Sequence, residues 1–254
     1  MKYILPQTKE TILQEKRSEF FTYRYSYMRA KETQDLNESG QDFLAFQDNG
    51  NSSTFVLCDG VGMSFHGEIA AKFLGMKLLH LFEILERDNA FTMLNTCLQN
   101  WTEEGREEVK RFSLPKEIPW LLRDVLEEKR KQGSESMFLC GKVEITPNAE
   151  LANVTIITHG DSYVYLFQDW KKYEDCIEGK RSVEKRWSTH RGIIGGDVEV
   201  FFKTLSRKQV NRIVIHSDGL MALTDYHSKE ILKEIQRAQR SPTSDDISFL
   251  DISW

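Results

Sequence analysis

Apolar and polar residues fall along the chain in two rhythms. Period-two alternation marks half-buried strands, and three- and four-residue steps mark amphipathic helices. Phe20 to Tyr27 alternates aromatic and polar side chains and predicts a strand, followed by a polar loop from Arg29 to Gly40. Gln41 to Gln47 predicts a second strand with Asp42 at its start, and Asn49-Gly50 predicts a hairpin into the apolar run Phe55 to Cys58. From His66 to Arg87 the residues Ile69, Phe73, Leu74, Leu78, Leu81 and Leu85 recur at helical steps. Weaker helical patterns cover Ala90 to Phe112 and Ile118 to Gln132, separated by Ser113-Leu-Pro115. Strand patterns return at Glu135 to Ile145, Leu151 to His159 and Tyr163 to Phe167. The least regular part is Asp169 to Gly196, which is rich in Lys and Arg. Arg212 to Ser217 is a clean strand, Leu220 to Gln239 a helix broken near Thr224-Asp225, and Asp246 to Ser253 a closing strand. Strands, then helices, then strands again predict an α+β chain rather than alternating βαβ units.

The acidic residues are placed against this rhythm in a particular way. Asp42, Asp59, Asp161, Asp218 and the pair Asp245-Asp246 each stand where an apolar run begins or ends. A carboxylate at the tip of a rigid strand is well held, which suits a metal ligand. Asp59-Gly60 and Asp218-Gly219 repeat one arrangement, a strand ending in Asp-Gly, and a Gly carbonyl is free to turn toward the same ion. Hard divalent cations favour oxygen ligands of these kinds. Asp-Gly is also among the commonest turn dipeptides, so neither motif alone carries the reading. If the hairpin forms, Asp42 and Asp59 lie at the same end of one sheet.

Bulk composition narrows the classes. The chain has 254 residues, formal net charge -5, and four cysteines at 58, 97, 140 and 176 without zinc-type pairing. That charge argues against a nucleic-acid surface, and the cysteines fit a reducing compartment, most simply the cytoplasm. No signal peptide is recognised at the start and no stretch approaches the ~18 apolar residues of a membrane span. His159 and His216 lie inside strand patterns and read as sheet residues; the charge run Glu103 to Arg111 reads as a solvated face.

Taken in order, Gln41-Asp42, Asp59-Gly60, Gly160-Asp161-Ser162, Ser217-Asp218-Gly219 and Asp245-Asp246 resemble the metal-dependent protein serine/threonine phosphatases (PPM, type 2C), in a bacterial-type branch. The resemblance runs from about Phe20 to Ser253. It implies a four-layer α-β-β-α sandwich of two antiparallel sheets flanked by helix pairs, a single phosphatase domain over residues 1–254, and a variable flap around 169–197. It implies two Mg²⁺ or Mn²⁺ ions, with a third, weaker one at Asp161. By the same resemblance Asp59 bridges both ions, with the Gly60 carbonyl on one, Asp218 and Asp245 hold the other, and Asp42 lies on the second-metal side. Asp59 and Asp218 are then the catalytic pair, and Asp246 supports them. The implied substrate is a phosphorylated protein, opposed by a cognate Ser/Thr kinase.

Two positions depart from the family pattern. Asn37 stands where many members have a phosphate-clamping Arg, and Val61 stands where eukaryotic members often have His. With Val61 unable to donate a proton, the leaving-group acid is either a metal-bound water, the favoured choice, or His66. The departures keep open a catalytically weak or inactive relative that binds or senses. A different metallohydrolase finds no His-rich motif in its favour.

Overall fold

The computed structural model describes residues 1–84, 90–146, 148, 150–175, 181–221, 223, 226, 228–241 and 243–254. In chain order the strands and helices are β1 (Lys2–Ile4), β2 (Thr11–Arg17), β3 (Thr22–Met28), α1 (Lys31–Asp35), β4 (Phe43–Asp48), β5 (Ser52–Gly60), α2 (Gly67–Ile84), α3 (Ala90–Arg111) and α4 (Trp120–Gln132). Then come β6 (Glu135–Ile145), β7 (Leu151–His159), β8 (Tyr163–Gln168), β9 (Lys171–Asp175), β10 (Arg186–Ser188), β11 (Gly192–Ile194), β12 (Glu199–Ser206), β13 (Arg212–His216), α5 (Ser228–Gln239) and β14 (Ile247–Ser253).

These strands make two antiparallel sheets. One runs β1-β4-β5-β6, after which the start of β6 pairs with β10, itself paired with β11, and the rest of it pairs with β7, itself paired with β12. The other runs β2-β3-β14-β13-β8-β9. Strand alternation decides the packing. On β5, Phe55 and Leu57 enter the core between the sheets, whereas Val56 and Cys58 face α2 and α3. On β13 and β14, Ile213, Ile215, Leu250 and Ile252 face the inter-sheet core, while Val214 and Phe249 pack with Ile231 and Ile235 of α5. The result is helices, sheet, sheet, helix.

A buried ion cluster sits on the outer face of the second sheet. Asp251, 2 % exposed, accepts from Arg24 and from Arg212 Nε at 2.8 Å, and both guanidinium groups also reach the Tyr226 carbonyl. Trp170 lies over the Arg212 guanidinium at 4.1 Å.

Apart from β12, which periodicity does not mark, the longer strands and helices fall where the periodicity puts them. The Asn49-Gly50 hairpin forms, with Gly50 at φ 79° and its N–H on Asp48 Oδ1. Four regions differ. The polar stretch read as a loop contains the short α1, which buries no side chain. The exposed edge strand β2 and the short β1 have too few apolar residues to register as alternation. The irregular basic stretch contains β9, β10 and β11. Finally, α4 leaves Trp120, Leu121, Leu122 and Val125 exposed and turns Leu126 and the Arg130 guanidinium, 4.8 Å from the Phe65 ring, toward the small cluster around Phe65. Leu85, Cys176, Thr224 and Asp225 lie outside the described residues.

Candidate metal centre

Residues 42 and 59 share a face because Phe43 pairs with Cys58 in antiparallel register, which sets Asp42 opposite Asp59 one step on. By strand parity both carboxylates point toward the inter-sheet side, like Leu44 and Leu57. The second sheet supplies the rest from the same end. Asp161 lies in the turn before β8, Asp218 opens a 3-10 turn straight after β13, and Asp245-Asp246 lead into β14.

Local chemistry explains why the chain turns there. Gly60 and Gly67 pass so closely that a Cβ on Gly60 would lie 2.5 Å from the Gly67 carbonyl carbon, and one on Gly67 would lie 2.7 Å from that of Gly60. Any larger residue at either position would force the loop away from β5. Residues 61–66 are then tied down to the start of β6. Val61 N–H donates to the Glu135 carbonyl at 2.9 Å, Glu135 N–H to Ser64 Oγ at 3.0 Å, and Ser134 Oγ–H to the His66 carbonyl at 2.8 Å. Across the cleft, Ser217 Oγ–H donates to the Asp246 carbonyl at 3.1 Å and accepts from Ser248 N–H at 3.0 Å.

Three of the carboxylates meet. Asp59, Asp161 and Asp218 each place an oxygen such that all three atoms lie within 4.8 Å of one another. Asp42 is 2 % exposed, and its Oδ2 has no hydrogen-bond partner among the described residues. Asp161 Oδ1 is likewise buried without a partner there. Asp246 is buried too but is not orphaned: it accepts from the N–H groups of Ala30 at 2.6 Å, Gln41, and Asp42 at 3.3 Å, which locks the approach to β4. Asp245 is exposed, and its Oδ1 accepts the Asp246 N–H at 2.7 Å.

The electrostatics follow from this crowding. Burial, and then the charges of Asp59, Asp246 and Asp245, push Asp42 well above the usual carboxylate range. Burial, and then Asp218, Asp161 and Asp245, do the same to Asp59. Asp218 is pushed up to about 6 by burial and by Asp245 and Asp161, and Asp161 is raised by burial and Asp245. Buried like charges with orphaned oxygens fit a bound divalent cation, which would satisfy the oxygens and offset the repulsion. The all-oxygen donor set suits a hard ion.

His66 is held out of this chemistry. Its Nδ1 is bonded to Glu68 Oε1 at 2.9 Å, its ring lies 4.3 Å from that of Phe112, and its Nε2 is buried without a partner among the described residues. Asn37 is exposed at φ 54°, and the nearby Arg29 is spent on Glu10 Oε1 and the Glu38 carbonyl, both at 2.6 Å. Ser136 escapes a reading of motifs. Its Oγ–H donates to the Asp59 carbonyl at 2.8 Å, a contact between paired strands 77 positions apart in the chain that leaves no local signal.

No protein-family model matches the chain, and no curated protein matches it. Solved structures do. A bacterial serine phosphatase superposes with TM-score 0.57 over 91% of this chain and 96% of its own, at 16% identity. The serine/threonine phosphatase Stp1 from Staphylococcus aureus gives 0.57 over 91% and 94%, at 15% identity. This chain has the fold of the PPM-type phosphatases. A phosphatase from a pathogenic strain of Toxoplasma gondii shares that PPM-type fold, with TM-score 0.56 over 96% of this chain and 94% of its own at 12% identity. The PPM-type architecture puts both sheet ends, and so all the strand-end aspartates, at one mouth of the sandwich.

Proposed function

We propose that this chain is a metal-dependent protein serine/threonine phosphatase, folded as one domain and working in the cytoplasm on phosphorylated proteins. The observation that carries the reading is the approach of the Asp59, Asp161 and Asp218 carboxylates to within 4.8 Å of one another. Asp42, Asp59 with the Gly60 carbonyl, Asp218 and Asp245 would hold two Mg²⁺ or Mn²⁺ ions, and Asp161 with Asp218 a weaker third. When bound, such ions lower the pKa of water and neutralise phosphoryl oxygens. The free thiols Cys58 and Cys140, fully buried, are consistent with a reducing compartment.

Hydrolysis adds a water oxygen to phosphorus and breaks the ester P–O bond, leaving inorganic phosphate and a serine or threonine hydroxyl. The chain's own part is to hold the carboxylates in register, exclude the apolar core from water, and leave room for the phosphoryl group. Val61 donates no proton and His66 is pinned, so the leaving oxygen takes its proton from water in the site. Turnover of an aryl phosphate and a phosphothreonine peptide should require Mn²⁺ or Mg²⁺ and vanish with a chelator. Robust metal-free turnover would sink this assignment.

Asn37, in place of a clamping Arg, favours a second reading: a catalytically silent module that binds phosphoproteins. Tight Mn²⁺ binding by calorimetry without any turnover would select it.

A further inference from the structure

Just beyond the end of β5 lies a pocket of about 420 Å³ whose floor is Glu135 and whose walls carry Lys129, Arg186 and Arg191. Glu135 holds the two arginines by a fork: Oε2 accepts from Arg186 Nε at 2.5 Å, and Oε1 from Arg191 Nη2 at 2.7 Å. Its side chain is 9% exposed, whereas that of Arg191 is 56% exposed and that of Arg186 26%. The carboxylate is therefore the hidden support, and guanidinium edges face outward. A guanidinium has five N–H donors; Arg191 spends one on the fork, and Arg186 adds an Nη1 bond to the Glu184 carbonyl at 3.0 Å, so each arginine keeps donors for a second anion. Three cations against one anion give this pocket a net charge of +2 among its lining residues. The neighbouring aspartate cluster has the opposite sign.

Its position follows from strand register. Asp59 pairs with Met137, and Trp187 pairs with Ser136, so Arg186 stands opposite Met137 on its other side. Residues opposed across adjacent strands share a face, so Asp59, Met137 and Arg186 project to the same side. Two strand spacings separate the backbones of Asp59 and Arg186, about 10 Å. An extended peptide covers that distance in roughly three residues. Val61, Met63 and Val183 add apolar wall on the solvent side, with Met63 83% and Val183 67% exposed.

Resting on the phosphatase reading above, we propose that this pocket selects substrates carrying an acidic group, a carboxylate or a second phosphate, two to three residues from the phosphoresidue. The aspartates alone would repel such a neighbour; the Glu135-forked arginines reverse that preference on one side of the site. Selection is the pocket's role, and the phosphoryl group itself sits at the aspartates.

The test uses the full chain with Mn²⁺ and phosphothreonine peptides bearing Glu, Ala or Lys at the second and third positions on either side. Wild type should prefer Glu over Ala by about tenfold in kcat/KM, as expected for a charge-assisted contact at a partly exposed site. The preference should shrink toward unity in Arg191→Gln and as salt is raised. Should Arg191→Gln fail to fold by circular dichroism, Lys129→Gln serves instead. Fluorescence anisotropy with fluorescein-labelled Glu and Ala peptides gives a readout independent of turnover. Absence of hydrolysis on every substrate, aryl phosphate included, would overturn the phosphatase reading while anisotropy still decides the pocket. Equal binding and equal turnover of Glu and Ala peptides by wild type would overturn the pocket alone.

Discussion

The two ends of the sandwich bury carboxylates in opposite ways. At one end Asp251 is 2 % exposed and gripped by Arg24 and Arg212, with further guanidinium donors on the Tyr226 carbonyl and the ring of Trp170 above, and Arg24 Nη1 left without a hydrogen-bond partner among the described residues. At the other end Asp42 is just as buried, yet its neighbours are Asp59, Asp245 and Asp246 and its Oδ2 is orphaned among the described residues. Removing charge from water costs several kcal/mol per ion, so each end needs an answer. The first is answered from within the chain and is structural. The second is left open within the chain, and an orphaned acid cluster of that kind is tolerable only if something arrives from solution. Burial is the same in both cases, so burial does not separate scaffold from site; the sign of the neighbours does.

The largest effect expected is at Asp59. Asp59→Asn keeps the shape and removes a charge from the centre of the cluster, so Mn²⁺-supported turnover of an aryl phosphate should fall by ~10²–10³-fold or more, while the near-ultraviolet dichroism stays native. Turnover close to wild type would erase the difference between the two ends. Asp251→Ala should behave in the reverse manner. Leaving two buried guanidinium groups unpaired should cost about 3–5 kcal/mol of stability in urea denaturation, without changing the metal requirement of whatever remains folded. A loss below about 1 kcal/mol there would mean that the ion cluster is not the structural counterpart it looks to be.

Acid should sharpen the contrast. Asp42, Asp59 and Asp218 have folded pKa values above their unfolded ones, so between the two the folded chain binds more protons. Stability without metal therefore declines as pH rises through the window that ends, for Asp218, at about 6. Chelated protein should melt lower near neutrality than in mild acid, and Mn²⁺ should raise the melting temperature most at the higher pH. An Mn²⁺ effect independent of pH would contradict the crowding of charge. The smallest expected change is at Asp161, which sits in the turn before β8. Asp161→Ala should raise the Mn²⁺ concentration for half-maximal rate by about tenfold while calorimetry still finds the tighter sites. Loss of all metal binding would put Asp161 at the heart of the centre instead.

Much of this contrast is legible in the chain before folding, but unevenly. Strands buried on both faces, such as Phe55 to Cys58 and Arg212 to His216, announce themselves because hydrophobic burial sets their composition. Their Asp-Gly ends are visible for the same reason: a charge abuts an apolar run. What composition does not encode is pairing across long separations. Glu135 opens an ordinary strand, and only the fold brings Arg186 and Arg191 onto it from more than fifty positions away. Nor does periodicity reveal β12, whose eight residues pair with β7 at the sheet edge and show no clean inside and outside. His66 is the instructive case at the site. Its position in the loop suggests an acid, and it is Phe112, just past the far end of α3, that closes off the ring.

Trp187 gives the acidic-group pocket a mechanical property. Its indole is fully buried, donates its N–H to the Leu98 carbonyl at 2.8 Å and stacks on Phe73 at 5.8 Å. Gly105 lies under it so closely that an added Cβ would come within 3.0 Å of the ring. The three-residue strand that carries Arg186 is thus riveted to the middle of α3 and α2. Such a short strand would ordinarily fray on its own, exchanging its amide hydrogens through local openings. Here the amides of 186–188 can open only by extracting an indole from between two helices, so they should exchange with deuterium on the timescale of those helices and not of a surface loop. Shaving the ring, as in Trp187→Leu, would detach the two timescales and turn a fixed arginine into a mobile one.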